Sequence, residues 1–206
     1  MAKQPAGPSA TSPPMPCAGH ASTAFLDIDE VLCIGQPEAC LELSRRMSAG
    51  DVPSSQELEV VFSPVARNAL AVIHRRIGGA VRYVISSSWR EHFSREAMAL
   101  LLHRGGMPFI AENLHAGEAW RCVPKRIYRE RQAEILDWLA THHRGEPFVI
   151  LDDHYSAGQL AFIEHFPDSP LQDRVILCQP GSGLTMDKVD DIVAALRSRP
   201  DGDRVE

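Results

Sequence analysis

The sequence predicts an α/β fold, a doubly wound parallel sheet, and three observations carry that expectation. Short apolar runs alternate with helical patterns through residues 23–198. The run at 148–151 (Phe-Val-Ile-Leu) is apolar throughout, as in a strand covered on both faces. Acidic or hydroxyl residues follow the runs directly, at the edge where such a sheet gathers its ligand groups. Strands separated by helices of about ten residues or more read as βαβ units.

In chain order, residues 1–22 read as a disordered tail. Pro5, Pro8, Pro13, Pro14 and Pro16 stand among Ala, Ser and Gly, too little apolar area to offset the ordering entropy. The segment has no continuous apolar stretch behind a positive start, so it is no secretory leader. A first strand covers 23–28. Residues 33–62, broken by Pro37, Gly50, Pro53 and Ser54-Ser55, form no single long element. Ser63 as N-cap with Pro64 at the first helical position opens a helix. Val65, Ala69, Val72, Ile73 and Ile77 recur along it at helical spacing, and Gly78-Gly79 ends it. A strand at 81–86 follows, then a helix at 94–103 closed by Gly105-Gly106, then a short third strand at 108–110. Residues 131–141 are helical, with Ile135, Trp138 and Leu139 on one face. After the strands at 148–151 and 175–178, a last helix starts near Thr185 and presents Val189, Ile192, Val193 and Leu196. Residues 199–206 are a polar tail.

Composition sets bounds. At 206 residues and 44% hydrophobic, the chain builds a sizeable core and excludes wholesale disorder. A net charge of −6 excludes a protein that coats nucleic acid by bulk charge. Five scattered cysteines without a CxxC pair exclude a disulfide framework or zinc knuckle, and reduced thiols in the cytoplasm are expected. The longest apolar run, 97–102, is six residues, against the roughly 18–20 of a membrane span. No internal repeat is visible.

The strand ends carry the chemistry. Asp27 and Asp29 follow the first strand, Ser86, Ser87 and Ser88 the second, Asp152 and Asp153 the run at 148–151. One such acid is ordinarily a helix cap, but two doublets at the ends of ordered strands converge. Unpaired, they repel and resist desolvation. A hard divalent cation resolves this, Mg²⁺ where the substrate is a phosphate.

These residues resemble the haloacid-dehalogenase-like (HAD) phosphohydrolases. Phe25-Leu26-Asp27-Ile28-Asp29-Glu30-Val31-Leu32 resembles the first motif, Val84-Ile85-Ser86 the second, and Ile150-Leu151-Asp152-Asp153 the fourth. For the third-motif cation the candidates are Arg131, Lys125 and Arg129. A finer resemblance is to the HAD subgroup associated with Swiss-army-knife RNA repair proteins. It rests on Ser86-Ser87-Ser88-Trp89-Arg90, on Glu134-Ile135-Leu136-Asp137-Trp138-Leu139, and on the turn Gly183-Leu184-Thr185. The resemblance implies a Rossmann-like core over 23–198 and a Mg²⁺-dependent phosphatase. Asp27 is then the nucleophile and Asp29 the general acid and base. Ser86 or Ser87 bonds a phosphoryl oxygen, and Arg131 or Lys125 neutralises charge. Asp27, Asp29 (through its carbonyl), Asp152 and Asp153 form the metal site. Many relatives carry Gly after the second Asp, where a mobile flap begins; this chain has Glu30.

Residues 33–62 leave room only for a small cap insertion. The open site this implies suits a bulky substrate such as a nucleic-acid end or a phosphoprotein, beside small phosphate esters. Arg121, Lys125, Arg126, Arg129 and Arg131 form a basic strip that suits a phosphate backbone or simply a solvated helix entry, and Trp120 and Tyr128 suit base stacking or packing. His142-His143, Gly181-Ser182-Gly183 and Cys33 read as a helix end, a turn and an inert thiol. A phospho-receiver domain does not fit, since no Lys follows Cys178 at the expected place. A silent HAD scaffold that only binds, or an HAD phosphotransferase, remains the alternative function.

Overall fold

The computed structural model describes residues 21–123, 131–164 and 169–198. Among these, four strands form one parallel sheet: β1 (Ser22–Leu26), β2 (Val81–Ile85), β3 (Phe148–Asp153) and β4 (Val175–Cys178), in the order β2-β1-β3-β4. From β1 the chain first builds outward to β2, then crosses back to β3 and β4. The order reverses between β1 and β3, the place where open parallel sheets leave a crevice at their carboxyl ends.

Alternation along the strands divides the core by face. Ala24, Leu26, Val81, Tyr83, Ile85, Val149 and Leu151 point to one side, where they meet α1 (Ala39–Ser48), α2 (Ser55–Val61), α3 (Pro64–Arg76), α4 (Arg95–Arg104), α5 (Pro108–Glu112) and, later in the chain, a helix at Val189–Arg197. Phe25, Val84, Phe148, Ile150 and Val175 point to the other, against α6 (Arg131–His142) and α7 (His154–Glu164); the helix at Val189–Arg197 is α8. Phe25 meets the edges of Trp138 and Phe148 at 5.0 and 6.2 Å between ring centroids. Each such fully buried side chain contributes about 1.5–3 kcal/mol, enough that the two layers fix the sheet between them. The sheet is doubly wound, as the alternating pattern requires.

Residues 33–62 fold as α1 and α2, whose Leu43 and Leu58 are buried in the same core as β1 and β2. Ser54 and Glu57 form a reciprocal capping box at the start of α2. Ser63 caps α3 with Pro64 behind it. α8 begins four residues after Thr185, past a single turn at Met186–Lys188, and buries Val189, Ile192, Val193 and Leu196.

One expected strand is a helix. Residues 108–110 lie in α5, where Pro108 occupies the first turn and its fixed φ favours helical entry. The outer edge of β2 is instead met by later residues. Tyr83 pairs with Leu114 and Ile85 with Arg121 as isolated bridges, and the Cys122 amide donates to the Ile85 carbonyl at 3.1 Å. α7 has no counterpart among the sequence expectations. The expected tail at 1–22 ends too late: Ser22 opens β1, buried, with its hydroxyl donating to the Leu196 carbonyl at 2.7 Å. Residues 1–20 with Cys17, Lys125, Arg126, Tyr128, Arg129 and the tail at 199–206 lie outside the described residues. No helix among the described residues is long and apolar enough to cross a membrane.

Gly183 closes the loop after β4 at φ +65°, and a Cβ there would lie 2.3 Å from Ile34 Cδ1 and 2.8 Å from the Val31 carbonyl oxygen. Gly181 has φ +76° but open space. Gly181→Ala should therefore cost about 1–2 kcal/mol of backbone strain, and Gly183→Ala clearly more, as read from urea unfolding of both variants.

Candidate active site

The register aligns the strand ends. Leu26 pairs with Ile85 on one side and Leu151 on the other, so the next residues, Asp27, Ser86 and Asp152, stand in a row at the carboxyl edge. The Asp27 amide donates to the Leu151 carbonyl at 2.9 Å and the Ser86 amide to the Leu26 carbonyl at 3.0 Å. Both backbones are thus held in the sheet while the side chains face the crevice. Asp27, Asp152 and Asp153 are 1%, 0% and 2% exposed, and one carboxylate oxygen from each lies within 4.8 Å of the others.

Arg131, in the first turn of α6, faces this group. Its Nη2 lies 3.3 Å from Asp27 Oδ1 and its Nε 3.5 Å from Asp152 Oδ2. One guanidinium does not balance three carboxylates. Burial raises the Asp27 carboxyl from 3.8 to about 6, Arg131 pulls it back, and Asp29 and Asp153 add to the rise. Asp152 is raised well above the carboxylate range by burial and by Asp27. Burial works against the charge of Arg131, but Asp27 and Asp152 outweigh it and raise its pKa.

Four buried polar atoms here have no hydrogen-bond partner: Asp27 Oδ2, Asp152 Oδ2, Ser86 Oγ and Arg131 Nη1. A folded interior rarely leaves such groups unsatisfied. Two carboxylate oxygens, a hydroxyl and a guanidinium nitrogen are what a hard cation and an oxyanion together would satisfy. Asp153 offers less than its partners, because its Oδ1 already accepts the amides of Tyr155 and Ser156 at 2.5 and 3.1 Å, capping α7. Ser87 is also committed, its hydroxyl accepting the Trp89 amide at 3.3 Å. Of the two serines, Ser86 is the one whose hydroxyl stands free in the site.

Asp29 lies outside the carboxylate group. It is half-buried, and its Oδ1 accepts the Trp89 indole N–H at 2.9 Å. Burial raises its carboxyl, and the indole bond opposes the rise.

Arg90, Glu134 and Glu30 stand in the motifs quoted from the sequence, but their contacts carry no sequence signal. Arg90 is 4% exposed and donates to the carbonyls of Cys122 and Ser86, both at 2.6 Å, to that of Ser87, and to the Glu134 carboxylate. Glu134 lies one turn along α6 from Arg131. Arg90 therefore fastens the Ser86 loop to the helix that carries the site cation. Glu30 adopts φ +54°, and its carboxylate accepts the Gly35 amide at 2.8 Å and the Gly181 amide at 2.6 Å. The turn after β1 is thereby clamped to the loop after β4.

The remaining sequence candidates sit elsewhere. His142 packs on Trp138, and His143 donates to the Glu146 carbonyl at 2.7 Å. Trp120 is buried, and Arg121 pairs with Glu118 at 3.1 Å. Cys33, Cys40, Cys122 and Cys178 are buried free thiols, each pushed up to about 12 chiefly by burial.

Residues 23–189 match the family model of the HAD domain in Swiss Army Knife RNA repair proteins. No curated protein and no solved structure gives a match.

Two outcomes follow from this geometry. Glu134→Ala strands the buried Arg90 charge and should lower the unfolding free energy by about 3–5 kcal/mol, whereas Glu42→Ala, which breaks an exposed pair with Arg45, should cost under about 1 kcal/mol. Urea denaturation separates the two. The Asp27 carboxyl favours its protonated form in the fold, so its contribution is complete below 3.8 and lost as pH climbs through about 6. In metal-free protein the Tm of wild type relative to Asp27→Asn should thus fall across that window, and a divalent cation should restore wild type most at the high end.

Proposed function

The chain belongs to the HAD domains of Swiss Army Knife RNA repair proteins, and from that premise we propose that it is a Mg²⁺-dependent phosphatase acting on phosphorylated nucleic-acid ends through Asp27. The observation that carries this reading is the set of four buried polar atoms without a hydrogen-bond partner, on Asp27, Ser86, Asp152 and Arg131, at the carboxyl edge of β1, β2 and β3.

Asp27 Oδ2 is the free oxygen of the nucleophile. It attacks phosphorus, the bond to the leaving oxygen breaks, and an aspartyl-phosphate forms. Asp29, raised by burial and held by the Trp89 indole, gives its proton to the leaving oxygen. It then takes a proton from water, whose oxygen attacks the same phosphorus and releases Asp27 and inorganic phosphate. Ser86 Oγ and Arg131 Nη1 donate to the phosphoryl oxygens, where charge spreads during transfer. Asp27, Asp152 and Asp153 would hold the Mg²⁺, and the Asp29 carbonyl is the further ligand that the family resemblance implies. When bound, the ion neutralises the carboxylates and the phosphoryl group together. Lys125 and Arg129, the other sequence candidates for the cation, lie outside the described residues, while Arg131 stands in contact with Asp27.

The family description favours a nucleic-acid end over a phosphoprotein. The test is hydrolysis of 3′- and 5′-phosphorylated oligoribonucleotides, a phosphopeptide and an aryl phosphate, with Mg²⁺ or with chelator. Metal-dependent release of phosphate from the oligonucleotides, lost by at least about 10³-fold in Asp27→Asn, is the expected result. Turnover that survives in Asp27→Asn overturns the nucleophile, and preference for the phosphopeptide overturns the substrate class.

A further inference from the structure

A cleft of about 340 Å³ opens beside the carboxylate group between the first turns of α6 and α7. Arg131 and Gln132 line it from α6, and Tyr155, Ser156, Gly158 and Gln159 from α7. Arg131 belongs to both places: it reaches Asp27 and Asp152 on one side and walls the cleft on the other.

Three features define what the cleft accepts. Tyr155 is 83% exposed, and its amide and that of Ser156 both donate to Asp153 Oδ1. An aromatic side chain is thus presented to solvent two residues beyond the carboxylates, on backbone anchored to one of them. Gln132 and Gln159 bring an amide from each helix, each able to donate and accept along a planar edge. The floor is open, because α7 leaves helical geometry at Ala157 (φ −127°, ψ 16°) and a Cβ on Gly158 would meet nothing within 4 Å.

Position separates this cleft from two others. The cleft of about 530 Å³ mixes Arg82, Arg95 and Arg144 with Glu112 and Glu146, and that of about 360 Å³ mixes Arg95 and Arg121 with Glu96 and Glu118. Neither is walled by Arg131 or by a residue of the carboxylate group. The Tyr155 cleft has Arg131 as its one charged wall among the described residues.

We infer that this cleft is the subsite for the nucleoside bearing the scissile phosphate, with its base stacked on Tyr155 and the base edge met by Gln132 and Gln159. The inference rests on the phosphatase reading for the position of the phosphate. A stacked base on an aromatic side chain is worth about 1–3 kcal/mol by alanine substitution, or roughly 5- to 150-fold.

The experiment compares wild type, Tyr155→Ala and Tyr155→Trp on two Mg²⁺-dependent substrates, a phosphorylated oligoribonucleotide and the same oligomer with an abasic phosphorylated terminus. Wild type should favour the base-bearing end in kcat/KM. That ratio should collapse toward one in Tyr155→Ala, by roughly 5- to 150-fold, and return in Tyr155→Trp. A ratio that does not move, or that Tyr155→Trp fails to restore, overturns the subsite. Fluorescence anisotropy of both labelled oligomers on Asp27→Asn, with and without Tyr155→Ala, gives the same comparison without turnover; equal affinities throughout also overturn it. Turnover insensitive to Asp27→Asn would refute the nucleophile while leaving the Tyr155 ratio to decide the subsite.

Discussion

Three carboxylates buried at the reversal point of a parallel sheet face one guanidinium, and much of the rest of the molecule answers to that imbalance of charge. Asp27 comes from β1 and Asp152 and Asp153 from β3, the two central strands, so solvent cannot relieve the repulsion by side-chain rotation. Burial first, and the neighbouring carboxylates after it, push Asp27 and Asp152 toward neutrality. The strand register that creates the problem is the same register that brings Ser86 alongside. A site of this kind is incomplete as protein, and the fold tolerates it because both faces of the sheet are covered by helices that hold the strands regardless.

The Trp89-Arg90 pair shows how the two sides of the site are kept together. Trp89 reaches toward β1 and holds Asp29; Arg90 reaches the other way and holds Glu134, one turn from Arg131. Arg90 also spans the carbonyls of Ser86, Ser87 and Cys122, so backbone groups that no strand partner satisfies are satisfied by one planar side chain. A lysine offers a single point of charge and does not reach four acceptors in one plane. The ion pair with Glu134 is costly to bury, and its return is a fixed relation between a hydroxyl on one loop and a cation on one helix.

Much of this was legible in the chain. Short apolar runs located the four strands of the sheet, and helical spacing with caps and glycine stops the helices at 64–76, 95–104 and 131–142, because those signals arise from burial on known faces. The segment 108–110 misled because three residues carry no period and Pro108 serves a helix start as well as a strand edge. α7 leaves no mark in the sequence, because its apolar residues follow no clear helical stripe and its cap, Asp153, has the residue type of a ligand as well. The choice between Ser86 and Ser87 lies in which hydroxyl a neighbouring amide has already taken. The Arg90 and Glu134 contact joins residues 44 apart in sequence, and nothing local marks it.

Glu30 carries a consequence for motion. One carboxylate accepts amides from Gly35 and Gly181, which lie on loops separated by most of the chain. The Leu184 amide adds a backbone bond to the Val31 carbonyl at 3.0 Å. The two loops are therefore tied to one side chain. Their amide protons share a protecting carboxylate, so removing it should speed hydrogen exchange at Gly35 and Gly181 together. Where a glycine would let the turn open by itself, this chain ties access on the β1 side of the crevice to the loop beyond β4.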